Sequence, residues 1–152
     1  MRHLIVVAHP AEDSFTLALT RAYAAELERP GHTQRTYDLY RTGFNPVLSA
    51  PEFLPVGTDH PVSADVARAQ DDIRAADALT VLYPLWWMSM PAMMKGDIDR
   101  VFARGFAYES LGDIVHGLLS GKKAVLITIS GAPLPVLVER AADQETALAR
   151  PE

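Results

Sequence analysis

Tyr83-Pro84-Leu85-Trp86-Trp87-Met88-Ser89-Met90-Pro91 follows an apolar, strand-like segment, Ala78 to Tyr83, and stands just before a helix-like one. The two tryptophans of the chain lie side by side in it. Pro84 and Pro91 flank the pair and keep the loop from continuing either strand or helix. In open α/β sheets the loops at strand carboxyl ends are where ligands bind. The run reads either as a stiffened platform for something flat or as two rings that fill a core, and taken alone it leaves both open.

Working outward from this run, strands and helices alternate. His3 to Ala8 (HLIVVA) is a short apolar run rich in β-branched residues, as in a strand buried on both faces. Ser14 suits an N-cap for a helix from Phe15 to about Arg29, stopped by Pro30-Gly31. Phe15, Ala18, Leu19, Ala22 and Tyr23 fall at the spacing of one buried stripe. Thr33 to Leu39 is a more polar strand that suits a sheet edge. Arg41 to Val62 holds four prolines and two glycines and reads as a long irregular loop, of the kind that is functional or mobile.

Ser63 is placed to cap a helix over Ala64 to Ala76, and Ala78 to Tyr83 is the third strand. Pro91 suits the first helical position of the next helix, with Met94, Ile98, Val101 and Phe102 as its buried stripe. Lys123 to Ser130 (KAVLITIS) is the fourth strand. Strands separated by helices imply a parallel sheet with right-handed crossovers. The expected architecture is a single α/β domain over residues 1–152, a flavodoxin-like three-layer sandwich with sheet order 2-1-3-4.

Composition narrows the function classes. The formal charge is −5 and the only lysines are Lys95, Lys122 and Lys123, so no basic stripe exists for nucleic acid. The chain has no cysteine, which removes disulfides, thiolate catalysis and Cys-ligated metals. A cytoplasmic location is expected, because Met1 leads directly into a strand and no apolar run reaches membrane-spanning length. His3, His32, His60 and His116 lack any pairing that suggests a metal site. Asp97 and Asp99 are two apart on a helix and cannot face each other, and Asp71-Asp72 read as a solvated helix face. The methionines at 88, 90, 93 and 94 read as packing residues. There is no serine nucleophile elbow.

This topology brings the loops at 9–16, 84–91 and 130–135 to the same carboxyl edge. The first runs into a helix N-terminus, where free N–H groups and the dipole favour an anion such as phosphate. Ser14 and Thr16 add hydroxyls and His9 an imidazole, although Glu12 and Asp13 would repel a phosphate unless they point outward. Neither a Walker loop nor a Rossmann glycine pattern is present.

Three segments, "VVAHPAEDSFTLAL", "DLYRTGFNPVL" and the 26-residue "YPLWWMSMPAMMKGDIDRVFARGFAY", together resemble the NAD(P)H:quinone oxidoreductase family of flavodoxin-like flavoproteins. The resemblance runs from residue 2 to about 131. It implies bound FAD or FMN, NAD(P)H as co-substrate, a quinone acceptor and a homodimer with the flavin site near the subunit interface. Carried over by position, it assigns His9, Ser14, Phe15 and Thr16 to a phosphate-binding loop. Pro84, Leu85, Trp86, Trp87 and Met88 fall to the isoalloxazine ring, and Thr128, Ser130 and Gly131 to the pyrimidine end of the flavin. Tyr108 is assigned to the nicotinamide or quinone pocket, where it is expected to hydrogen-bond the substrate oxygen. Ser110 stands where the family often has a second tyrosine.

The chemistry implied is ping-pong hydride transfer from NAD(P)H through flavin to a quinone. Family members continue with a fifth strand and helix. Here residues 132–152 offer an atypical tail with one helix-like stretch, Val136 to Arg150, and the fifth strand is expected to be missing. A second reading follows from that tail: a non-catalytic, flavodoxin-like regulatory subunit of a partner such as a potassium-efflux system.

Overall fold

The computed structural model describes residues 1–53, 62–133 and 135–139. Along the chain run β1 (Arg2–Val7), α1 (Phe15–Glu28), β2 (Thr33–Asp38), α2 (Ala50–Phe53), α3 (Ala64–Ala75), β3 (Ala78–Pro84), α4 (Ala92–Val101), β4 (Tyr108–Leu111), β5 (Ile114–Gly117) and β6 (Lys123–Ile129). Four of the strands form a parallel sheet in the order β2-β1-β3-β6, as the alternation predicts. The remaining two make an antiparallel hairpin. The long loop contains one short helix, α2, and its residues 54–61 lie outside the described residues, as do 134 and 140–152 with most of the Val136–Arg150 stretch.

Period-2 alternation divides the sheet into two faces. Leu4 and Val6 of β1 and Tyr83 of β3 pack with Val66, Ala69 and Ile73 of α3 and with Met94 and Val101 of α4. Ile5, Val7 and Leu82 face the other way and pack against Leu17 and Ala24 of α1. The buried face of α1 is Thr16, Leu17, Thr20 and Ala24; of the expected stripe, Leu19 and Tyr23 are half-buried against the same core, while Phe15, Ala18 and Ala22 are exposed. Both sides of this alanine-rich helix are apolar enough to bury, and the sheet contacts the half-polar one. α1 ends where Gly31 takes a positive φ of 81°, which lets its N–H and that of His32 close back on the carbonyls of Glu28 and Leu27.

Two capping expectations are corrected. Pro91 is the N-cap of α4 and not its first helical residue. Ser63 occupies the N-cap of α3, but its hydroxyl is diverted: it donates to Glu52 at 3.0 Å and accepts from Arg100 at 2.8 Å.

Arg100 organises that side of the molecule. With its side chain only 4% exposed, it donates to Glu52, Asp65, Ser63 and the Asn45 carbonyl and lies over the Phe44 ring. It thereby ties the loop after β2 and the start of α3 to α4. Arg100 holds the Glu52 and Asp65 carboxyls down to about 2. The loop crosses α4 at Gly96, where a Cβ would run into the Pro46 backbone, so no larger residue fits. Asp72, expected on a solvated face, is largely buried and paired with Arg35 at 2.6 Å. His3 and His32, far apart in sequence, meet at 3.0 Å.

Candidate functional site

Parallel pairing sets the carboxyl ends of β1, β3 and β6 side by side. Val7 is in register with Leu82, and Pro84 with Ile129. Backbone bonds extend the alignment into the loops, Ala8 N to Leu82 O at 3.2 Å and Leu85 N to Ile129 O at 2.7 Å. The 9–16, 84–91 and 130–133 segments therefore meet at one edge, as predicted.

The aromatic loop is a tight hairpin turn. Trp86 and Ser89 exchange two backbone hydrogen bonds, of 2.9 and 3.0 Å. The two residues between them, Trp87 and Met88, have φ of 52° and 61°. Positive φ at both central positions is the type I′ geometry, normally met by Asn-Gly. Non-glycine residues held there cost of order 1–3 kcal/mol each, and such strain clusters at ligand sites. The turn leaves Trp87 96% exposed, so the core-filling alternative is set aside for it. Trp86 is partly exposed and meets the His9 ring edge-on, with centroids 5.8 Å apart. Pro84 is buried beneath the turn, and Leu85 is half-buried.

Trp87, Met88 and Leu85 form one wall of a cleft of about 270 Å³ whose opposite wall is Ser130, Gly131, Ala132 and Leu137. The Ser130 hydroxyl accepts from Ala132 N at 3.0 Å, which turns the post-β6 loop back on itself. Thr128 lies on the outer, exposed part of β6 and does not line the cleft.

At the start of α1, Ser14 Oγ accepts from Leu17 N at 3.2 Å. The N–H groups of Phe15 and Thr16 have no intrahelical acceptor, as in the first turn of any helix. Thr16 itself is buried, and Phe15 is 69% exposed. Glu12 points outward with its side chain 86% exposed, drawn toward Arg41 at 3.7 Å, which answers the objection that it would repel an anion. His9 Nδ1 lies 3.1 Å from Ala11 N and 3.2 Å from Ala11 O. Nδ1 therefore accepts from the Ala11 N–H when the ring proton is on Nε2 and donates to the Ala11 carbonyl when it is on Nδ1.

Tyr108 does not join this group within one chain. It follows α4, which returns the chain to the amino edge of the sheet. There its carbonyl accepts from Gly105 N at 2.7 Å, and Arg74, at the end of α3, lies over nearby Phe106. β3 alone separates the two edges by seven residues, roughly 20 Å. The β4–β5 hairpin carrying Tyr108 was missed in the sequence, although Gly112-Asp113 between two apolar runs is a recognised two-residue turn signal.

Sequence reasoning also missed Arg41 and Arg100, and took Asp97 only as unable to face Asp99. Burial pushes the Asp97 carboxyl up to about 7, against a smaller pull from Arg100. Asp97 sits in the α4 layer and not in the cleft. Among the described residues no group of three or more His, Cys, Asp or Glu side chains is placed to hold a metal ion, and no helix is long and apolar enough to cross a membrane.

Residues 1–147 match a family model described as flavodoxin-like fold. Over 124 residues the chain is 39% identical to an uncharacterized NAD(P)H oxidoreductase of Haemophilus influenzae, covering 81% of this chain and 61% of that one. The solved NAD(P)H:quinone oxidoreductase of Methanothermobacter marburgensis is 32% identical and superposes with a TM-score of 0.85 over 98% of this chain and 76% of that one. General stress protein 14 of Treponema denticola, solved in complex with FMN, is 25% identical with a TM-score of 0.60 over 88% of this chain and 64% of that one. The chain spans about three-fifths of the length of the curated relatives it matches.

Proposed function

This chain belongs to the flavodoxin-like family, and on that footing we propose that it is a flavin-dependent NAD(P)H:quinone oxidoreductase. The observation that carries the reading is the meeting of Trp87 and Met88 with Ser130 and Gly131 across one cleft, beside the free N–H groups that begin α1. A ring system with an anionic tail fits that donor set: an exposed indole for its face, backbone amides for its polar edge, and a helix N-terminus for its phosphate.

In this reading Trp87, Met88 and Leu85 hold the ring face, and the two backbone hydrogen bonds of the turn set the position of the Trp87 backbone. The amides around Ser130 and Gly131 stabilise negative charge that develops at the ring's polar edge. His9 Nε2–H, Ser14 and the Phe15 and Thr16 amides hold the phosphate. Pro84 sets the loop's departure from β3, Trp86 braces His9, and Thr128 supports the last loop from outside the cleft. A flavin held by these residues would supply the hydride-transfer chemistry between NAD(P)H and a quinone, in ping-pong order. The protein's part is stacking, geometry and hydrogen bonding.

Tyr108, on the far edge, serves as a substrate-oxygen donor only if a second copy presents it, and the reading therefore includes a homodimer. FMN is favoured over FAD because a relative solved with a flavin holds FMN.

The test is the visible spectrum of the purified chain after incubation with FMN or FAD, before and after anaerobic NADPH. A bound-flavin spectrum that bleaches and is restored by a benzoquinone is expected. A chain that binds neither flavin, or binds one that NADPH leaves oxidised, overturns the proposal, and the regulatory alternative then leads.

A further inference from the structure

Arg41 lies three residues beyond β2, at the carboxyl edge, where Leu39 N bonds to Val7 O at 3.0 Å and lays this segment beside the 9–16 loop. Its guanidinium reaches across and donates to two successive carbonyls: Nη1 to His9 O and Nη2 to Pro10 O, the latter at 2.9 Å. The same group faces Glu12 and Asp38, each at 3.7 Å. Its side chain is largely covered and its charge is spent on the protein, so it is not a ligand contact by itself.

The second of these carbonyls matters most. Pro10 C=O and Ala11 N–H belong to one trans peptide unit and point in opposite directions. With its oxygen held by Arg41, the unit presents its N–H on the other side, where it donates to His9 Nδ1 at 3.1 Å. Nδ1 also lies 3.2 Å from Ala11 O, and it is the N–H bond, held in place by Arg41, that selects Nδ1 as acceptor and puts the proton on Nε2, which has no hydrogen-bond partner among the described residues. A fork is needed for this. A lysine ammonium carries the same charge but not the planar pair of donors that grips neighbouring carbonyls.

We propose that Arg41 is a positioning residue for phosphate binding at the 9–16 loop, acting through the Pro10–Ala11 peptide to hold His9 with Nε2–H as its free donor. The inference rests on the flavin reading for the identity of the phosphate, but not for the arrangement of His9. It also explains why the loop tolerates Glu12: Arg41 draws that carboxylate off the helix N-terminus.

Two measurements on the full chain test it. Long-range ¹H–¹⁵N spectra of the ligand-free protein read the His9 tautomer directly. The Nε2–H form is expected for the parent, with loss of that preference in Arg41→Lys, while the rest of the spectrum shows the fold retained. Fluorescence titrations with FMN and with riboflavin, which lacks the phosphate, read the consequence. Arg41→Lys is expected to weaken FMN on the order of tenfold, the worth of one charge-assisted hydrogen bond, and to leave riboflavin within about twofold. In a His9→Phe background the same change adds little further loss, since both act through one contact.

Equal weakening of FMN and riboflavin in Arg41→Lys, an unchanged FMN affinity, or an unchanged tautomer each overturns the proposal. If the parent chain binds neither flavin, the flavin reading falls and the phosphate role of Arg41 falls with it. The tautomer spectrum still shows, separately, whether Arg41 sets His9.

Discussion

β1 and β6 are similar in composition and opposite in burial. Leu4 to Val7 of β1 are all buried, whereas Ala124, Val125 and Leu126 of β6 are exposed, Leu126 by 64%. Both are runs of aliphatic and β-branched residues, so local propensity does not distinguish them. The difference lies in their surroundings. β1 has a strand on each side and helices packed on both faces, while among the described residues β6 pairs with β3 alone and opens to solvent at Val125 on one face and Leu126 on the other. An apolar strand at an open edge is an aggregation liability that well-covered strands do not share. The lesson is that a strand's burial is decided by what flanks it, and only secondarily by its own residues.

The covered side should be costly to break and the open side cheap. The largest loss is expected from Arg100→Ala, which strips Glu52 and Asp65 of their buried partner, at about 4 kcal/mol in urea unfolding. Leu82→Ala, at a fully buried site of β3, should cost about 3 kcal/mol by lost burial and cavity formation. Leu126→Ala, one strand over, should cost no more than about 0.5 kcal/mol. A Leu126→Ala loss as large as that of Leu82→Ala would mean that β6 is covered in solution, and the contrast would collapse.

The pH dependence sharpens the same contrast, because the shifted carboxyls lie in the α3–α4 layer. The Asp97 carboxyl is pushed up to about 7 by burial, so the folded chain binds a proton that the unfolded chain has released above its ordinary value of 3.8. Stability therefore falls as pH rises from about 4 through 7, by roughly 2–3 kcal/mol between pH 5 and 8. Glu52 and Asp65 act in the opposite sense. Held at about 2, they stabilise the fold above their unfolded values and lose that contribution as pH falls through about 2. Asp97→Asn should flatten the neutral limb and leave the acid limb in place. A neutral limb that persists in Asp97→Asn would assign the slope to another group.

How far the sequence discloses this arrangement follows from what sequence patterns encode. The sheet order is legible because apolar runs alternate with helix-length segments, and the meeting of the three carboxyl-edge loops follows from that order alone. The packing face of α1 is not legible: Phe15, Ala18 and Ala22 are more apolar than Thr16 and Thr20, and periodicity reports where apolar residues lie, not what stands opposite them. That Tyr108 stands apart from the cleft within one chain is not legible for a related reason. Spacing along the chain does not record that α4 carries it to the other edge. Arg41 and Arg100 look like ordinary loop and helix charges, because the carbonyls and carboxylates they hold are about 30 to 55 residues away.

The aromatic turn offers the smallest and most discriminating test, since it sets stability against the proposed binding role. Met88 has a φ of 61°, a conformation that costs an L-residue about 1–2 kcal/mol and glycine nothing. Glycine in return gives the unfolded chain more freedom, which offsets part of the gain by about 0.4–1 kcal/mol. Met88→Gly is therefore expected to raise stability slightly, by about 0.5 kcal/mol in urea unfolding, while it removes part of one wall of the cleft and weakens flavin binding. A stability that falls would mean the Met88 side chain packs better than its strain costs. A flavin affinity that survives would take Met88 out of the site and leave Trp87 and Leu85 to hold the ring face.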